Sequence, residues 1–406
     1  MHHRDCIPWV AHDNLECMED SSIVYILFLI FCGAAILATL AMTVRQSLII
    51  AYIGLGLLIG PWGIHLITDI SLIQNIAGVG IIFLLFLLGL NLHPQELIRL
   101  AGEATVVTGV SSMALLALGY GYSLMFGYTT TEALIVGAAL MFSSTIIGLK
   151  LIPTTILHHQ HTGEIIISVL LLQDIIAIFL LVLIEGSADT EAGWWAMIKP
   201  ALAFPLLVAV AYLLEKNLLA RLIARFDRIQ EYIFLLAVGW CLGLAEAAEQ
   251  LGLSYEIGAF IAGVSLARSP IALFIAESLK PLRDFFLIIF FVALGAGFNL
   301  GALPDIWLAA LGLSLLAIVV KPLLYQTLMR FSGESRERST EVAMRLGQMS
   351  EFSLLIAVMA SQLAIIRTEV SYLIQIATLV SFVFSSYYIV ARYPTPIALS
   401  DKLRRD

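Results

Sequence analysis

Between residues 165 and 184 the chain reads IIISVLLLQDIIAIFLLVLI, and its only strongly polar side chains are Ser168, Gln173 and Asp174. A helix rises about 1.5 Å per residue, so a run of this length crosses the roughly 30 Å hydrocarbon core of a bilayer. In lipid, every backbone N–H and C=O must be satisfied internally, which makes a continuous apolar run of this length a helix. Asp174 then lies near the middle of a membrane-spanning helix. An acid at that depth costs about 2.5–3.5 kcal/mol on insertion scales and is retained where it meets a partner or a water-filled cavity. One reading is a neutral acid hydrogen-bonded to a neighbouring helix. The reading favoured here is a site where one carboxylate holds a proton or a cation in turn.

The same character runs through the whole chain. Of its 406 residues 60% are hydrophobic and 13% charged, against about 25% charged in soluble domains; mean hydropathy is +0.96. This is an integral membrane protein, and its main partner is the lipid bilayer. The net charge of −8 says little, because the charges are segregated by membrane side. Nothing points to a nucleic-acid partner. There is no P-loop, no GxGxxG after a strand and no HExxH, so neither ATP-driven transport nor a zinc protease is signalled. No cofactor is expected, and a transporter is expected rather than an enzyme. The four cysteines, Cys6, Cys17, Cys32 and Cys241, have no metal-ligand spacing. Cys6 and Cys17 share the polar tail 1–21 and are either a pair, in an oxidising compartment, or two free thiols. That tail is too polar for the apolar core of a signal peptide, so no cleaved signal is expected.

Thirteen hydrophobic stretches follow, at 22–43, 46–62, 72–91, 102–126, 131–151, 163–185, 196–215, 230–249, 253–268, 283–299, 304–330, 339–364 and 369–391. Lys and Arg in the loops orient them. Eighteen fall on one side, from Arg45 to Arg405 and including Arg345, against only Arg4, Lys199 and Arg367 on the other. The N-terminus is therefore expected outside and the C-terminus in the cytoplasm.

An internal repeat is visible. AYIGLGLLIG at 51–60 resembles SYEIGAFIAGV at 254–264, and FLLGLNL at 86–92 resembles LGAGFNL at 294–300. Gly54 and Gly258 are 204 residues apart, and Asn91 and Asn299 208. Matched stretches are seven apart in order, so the copies enter the membrane from opposite sides. This is the inverted-topology pattern of secondary transporters, whose site lies near the midplane where the halves meet. Polar residues fall at corresponding points. Ser143, Ser144 and Thr145 interrupt the fifth stretch, and Gln348, Ser350 and Glu351 lie early in the twelfth, with Glu351 207 residues after Ser144. The pattern predicts two broken helices crossing one another, with half-helix ends available to ions. Lys321 lies midway along the eleventh stretch, too deep to reach either surface. A carboxylate partner, Asp174 or Glu351, is expected for it; the alternative is a neutral lysine. His158, His159 and His161 cluster in the fifth loop and read as solvated. Glu246, Glu249 and Glu256 read as an outer rim that attracts cations or is merely solvated.

Six motifs together carry a resemblance. IGPWGIHLITD (59–69), FLLGLNLHPQEL (86–97), SSTIIGLK (143–150), LLLQDIIAI (170–178), GLSYEIGAFIAGVSLA (252–267) and GQMSEFSLL (347–355) occur in the order seen in the cation:proton antiporter-2 family. The chain most resembles its Kef-type bacterial potassium/proton antiporters, over about 22–392. The resemblance implies an all-α polytopic membrane protein with a sodium/proton-antiporter-like fold, usually a homodimer. Scaffold helices would span 22–99 and 229–300, core transport helices 100–186 and 301–392, and a linker helix 196–216, with a cytoplasmic tail at 393–406. Asp174 matches the family's ion-binding acid and Lys321 a core lysine, while Gln173 stands where electrogenic relatives carry a second acid. Kef proteins continue into a cytoplasmic nucleotide-binding domain; this sequence ends at Asp406, so control through such a domain is not expected in cis, and a separate regulatory subunit is not inferable.

These readings combine into one expectation. The protein exchanges a monovalent cation, K⁺ favoured by the resemblance and Na⁺ possible, for a proton across the bacterial inner membrane, one for one. Asp174, Gln173, Ser143, Ser144 and Thr145 would form the cation/proton site, with Lys321, Glu351, Ser350 and Gln348 compensating charge in the core. No metal is expected beyond the transported cation. The alternatives are a cation efflux channel, which would need a filter sequence the chain does not show, and a membrane-embedded sensor.

Overall fold

The computed structural model describes residues 23–44, 46, 48–67, 71–91, 103–150, 161–186, 194–226, 229–267, 269 and 271–395. The polar N-terminal tail with Cys6 and Cys17, the pair His158 and His159, and the tail beyond residue 395 lie outside the described residues.

The described chain is helical: α1 (Ile23–Thr43), α2 (Leu48–Ile59), α3 (Ser71–Asn91), α4 (Glu103–Met125), α5 (Thr130–Met141), α6 (Thr145–Lys150), α7 (His161–Gly186) and α8 (Trp194–Leu214) make the first half. After a π turn come α9 (Ala220–Phe226), α10 (Gln230–Gln250), α11 (Tyr255–Leu266), α12 (Ala272–Ala296), α13 (Leu303–Leu315), α14 (Lys321–Phe331), α15 (Arg336–Arg345), α16 (Glu351–Gln362) and α17 (Thr368–Arg392). Each of the thirteen hydrophobic stretches coincides with a helix or a pair of half-helices. Among the described residues, 8 helices are long and apolar enough to cross a membrane by themselves. Four shorter apolar helices, α2, α5, α11 and α16, occupy matched positions in the two repeats. The tenth hydrophobic stretch starts at 283, but α12 begins at Ala272. Its first half carries Glu277, Lys280, Arg283 and Asp284, which hides a helix from a search for apolar runs.

Packing divides the molecule. One apolar cluster joins α4, α5, α7 and α13 to α17 through Leu115, Val136, Ile166, Leu313, Ile356 and Leu373. A second joins α3, α8, α10, α11 and α12 around Phe86, Leu207, Ile257 and Leu279. A third holds α1 and α2 on α3 and α12 and reaches across to the first group through Leu354 and Phe382.

The two repeats meet in the second and third groups with matching close approaches. A Cβ on Gly56 would lie 2.1 Å from Val292 O, and one on Gly295 2.1 Å from Ile53 O, so α2 and α12 cross backbone to backbone. A Cβ on Gly263 would lie 2.0 Å from Phe86 O and one on Gly89 2.4 Å from Phe260 O, where α11 crosses α3. The second helix of each repeat thus crosses the third helix of the other, through small residues that let membrane helices approach closely.

Candidate functional site

Two chain breaks face each other in the first packing group. α5 starts with a capping box in which Thr129 Oγ1 accepts from Glu132 N–H and the Glu132 carboxylate accepts from Thr129 N–H. It stops at Met141, because Phe142 turns extended at φ −80°, ψ 141°. Three residues later α6 begins, with Ser144 Oγ accepting from Ile147 N–H at 3.1 Å. On the other side α15 ends at Arg345. After five residues α16 starts behind Ser350, which is extended at φ −124°, ψ 159° and accepts from Phe352 N–H. The two broken helices expected from the polar interruptions are present, and they cross at those interruptions.

The breaks are joined through a repeating offset. Ser143 Oγ donates to Leu346 O at 2.8 Å, Gln348 Nε2 donates to Ser144 O at 3.5 Å, and Thr145 Oγ1 donates to Glu351 Oε1. Met349 N–H donates to Ser381 Oγ at 3.0 Å, and Ser385 Oγ donates to Gln348 Oε1 at 2.9 Å. Extended backbone at membrane depth is tolerable only where such bonds, or a cavity, satisfy it.

Lys321 corrects an expectation. Its ammonium meets no carboxylate within ion-pair distance among the described residues. It donates instead to Leu140 O at 3.1 Å, Phe142 O at 2.6 Å and Gln348 O at 2.9 Å. Two of these acceptors belong to the C-terminal end of α5, where orphan carbonyls and the negative end of the helix dipole concentrate. The third lies in the opposite break. The partner a buried ammonium needs is thus supplied by backbone, in a pattern side-chain counting cannot reveal. Ammonium provides three donors, and here three acceptors take them.

Gln173 is also tied to the break. Its Oε1 accepts from Ser143 N–H at 3.0 Å, and its Nε2 donates to Met141 O at 2.8 Å and to Tyr325 Oη at 2.6 Å. Tyr325 was not singled out in the sequence. The signal was its place four residues after Lys321, on the same face of α14. Ser353, whose Oγ donates to Ala139 O at 2.6 Å, was missed as well.

Next to Gln173, Asp174 is 1% exposed, and its Oδ2 is buried without a hydrogen-bond partner among the described residues. Glu351, at the start of α16 in the opposite break, is 5% exposed. The crossing therefore brings the Thr145 hydroxyl to the Glu351 carboxylate, with Ser143 and Ser144 in the break and Asp174 the neighbour in sequence of Gln173, which is bonded into it. These are oxygens suited to a hard cation or a proton. Among the described residues no cluster of three metal-ligating side chains is present.

Other expected residues are placed elsewhere. His161 is not in a loop: it is the first residue of α7, and its ring nitrogens meet Glu164 at 3.2 Å and Glu334 at 2.9 Å. Arg345 is fully buried, donating to Glu341 and to Pro394 O. Glu246 accepts from Gln250 at 3.0 Å, whereas Glu256 lines a cavity between the packing groups.

Comparison with known proteins places this geometry. Residues 26–390 match the family model described as "Sodium/hydrogen exchanger, transmembrane". Among solved structures, that of the sodium proton antiporter MjNhaP1 from Methanocaldococcus jannaschii at pH 8 is 19% identical and superposes with a TM-score of 0.68, covering 90% of this chain and 95% of that one. An electron-microscopy map of the same antiporter gives 18% identity and a TM-score of 0.67, covering 90% and 94%. At these identities the likeness shows a shared fold, that of the sodium/proton antiporters.

Proposed function

Since this chain belongs to the sodium/hydrogen exchanger family, we propose that it exchanges a monovalent cation for a proton, with Asp174 carrying each in turn. One observation carries the reading: a carboxylate buried in a membrane helix, one of its oxygens without a hydrogen-bond partner among the described residues, beside Gln173, which is bonded into the break. A proton satisfies that oxygen in one half-cycle and a cation in the other. Thr145, Ser144 and Ser143 would complete the cation's oxygen shell, while Gln173 holds the break that presents them. K⁺ is favoured over Na⁺ by the Kef-like motifs. With an amide at Gln173, which never ionises, one carboxylate carries one charge each way and the exchange is electroneutral.

The Lys and Arg bias supports an inner-membrane protein with its N-terminus outside and C-terminus in the cytoplasm. The packing groups support a core of α4 to α7 and α13 to α17 moving against a scaffold, through which two copies would pair. In sealed proteoliposomes, Asp174→Asn is expected to abolish cation-driven proton counterflow with K⁺, Na⁺, Li⁺ or Rb⁺ while leaving the fold intact. Wild-type flux in that variant would remove Asp174 from the mechanism.

A further inference from the structure

Tyr325 stands at a junction to which the antiport reading gives no task. It is fully buried on α14, one turn after Lys321, and its hydroxyl accepts from Gln173 Nε2 at 2.6 Å. Around that bond the chain between α5 and α6 is held from two sides. Lys321 takes the carbonyls of Leu140 and Phe142, and Gln173 takes the Met141 carbonyl between them. Gln173 Oε1 in turn accepts from the Ser143 N–H at 3.0 Å.

This pattern leaves the Gln173 amide one orientation. A backbone N–H can meet only its oxygen, and a carbonyl only its NH₂ group. With Ser143 N–H and Met141 O both engaged, the second Nε2 hydrogen takes its acceptor from outside the break, and that acceptor is Tyr325 Oη. Three ties then close a triangle: α14 to the break through Lys321, the break to α7 through Gln173, and α7 back to α14 through Tyr325. Two ties alone would let α7 turn about its bonds to the break; the third stops it. Asp174 follows Gln173 directly, its Cα about 3.8 Å further along the chain, and Ser143, Ser144 and Thr145 follow Phe142. The triangle therefore fixes where α7 holds Asp174 relative to the chain that bears those hydroxyls.

We propose that Tyr325 is a positioning residue for cation selection: by closing the triangle it keeps the oxygens of the site from following the size of the ion. This deepens the antiport reading at Asp174 and rests on it. Oxygen ligands by themselves separate alkali cations poorly; their number, spacing and rigidity decide. Oxygens that can move adapt to several radii, whereas oxygens held in place favour one. Tyr325 acts through Gln173, not on the ion.

Proteoliposomes carrying wild type, Tyr325→Phe, Gln173→Met or the double variant test this, with half-saturation read for Li⁺, Na⁺, K⁺ and Rb⁺ in turn. Tyr325→Phe keeps the ring and loses only the acceptor. It is expected to exchange still, with half-saturation for the cation the wild type prefers raised about tenfold, the lower end of what losing a partner behind a metal ligand costs. The other cations should change less, so that the spread among the four narrows. A residue that only supports the fold would lower the maximal rate for all four alike and leave their half-saturations in place; that result overturns the proposal, as does a wild type that takes all four equally. In the Gln173→Met background, Tyr325→Phe should change nothing further, because the bond is already cut; an additive loss shows that Tyr325 does not act through Gln173 and refutes it. If Tyr325→Phe alone fails to fold, the double variant against Gln173→Met carries the test, and wild-type selectivity in Gln173→Met also refutes it. Absence of exchange in the wild type, or full exchange in Asp174→Asn, would instead defeat the antiport reading itself.

Discussion

Lys321 donates to three carbonyls, and those bonds join the end of one half-helix to the opposite break. Removing the ammonium strands these acceptors in a fully buried site. Each buried unsatisfied group costs about 1–3 kcal/mol, so Lys321→Met should destabilise the protein by several kcal/mol and melt it well below wild type in detergent. A wild-type melting temperature would show that the breaks hold without it. Outside the membrane, Glu334 makes a comparable junction between the α14–α15 turn and α7. Burial pushes its carboxyl up, but the hydrogen bonds from Arg338 and His161 outweigh that and hold it below the usual carboxylate value. A group lowered in this way contributes stability that is complete above its ordinary value of 4.5 and is lost as pH falls through the lowered folded value. Thermal melting followed downward through that window should show a fall that Glu334→Gln flattens.

At the scale of elements, the crossing helices depend on absent side chains. Gly263→Ala places a methyl 2.0 Å from Phe86 O, a backbone atom in α3 that cannot rotate away. Gly54 has nothing within 4 Å of its would-be Cβ, so Gly54→Ala should be neutral or, by helix propensity, stabilising by up to about 1 kcal/mol. Purifying the two variants side by side checks this: loss of folded protein is expected for Gly263→Ala only. Gly54 and Gly258 were paired by the repeat in sequence, yet a Cβ on Gly258 would lie 2.3 Å from Leu244 O. Equivalent sequence positions therefore need not carry equal contacts. The cap of α5 gives a smaller, separable effect. Thr129→Ala should cost about 1 kcal/mol of stability, read as a modest fall in melting temperature. Glu132→Ala should cost more, since Glu132 both closes the capping box and binds Arg367 at 2.7 and 3.0 Å.

For the whole molecule, the consequence of a single carrier is electrical. A net charge moved per cycle would couple exchange to voltage by about 2.3 kcal/mol per 100 mV. One proton against one monovalent cation moves none. With the voltage of proteoliposomes set by a separate permeant ion, the null point of exchange should stay where the cation and proton gradients put it. A shift of the null point with voltage would show that a second titrating group travels with Asp174.

The sequence by itself determined the helices and the depth of the site. Apolar runs the length of a bilayer leave no other form, and Asp174, Ser143 to Thr145 and Gln348 to Glu351 stand out because polar side chains are costly there. It also determined the repeat, since a spacing of about two hundred residues can be read from letters. It did not determine what Lys321 binds, because its partners are carbonyls that every residue possesses and only a break in a helix exposes. Nor did it assign Gln173 to the break, or find Tyr325, whose hydroxyl matters only because folding brings α14 against α7. The first half of α12 was hidden by its charges, and the cavity lined by Glu256 and Gln375 has no sequence signature, being space left between two groups of helices. Hydrophobic patterning is local and survives in one dimension. Backbone acceptors and empty volume come into being only when distant segments close on each other.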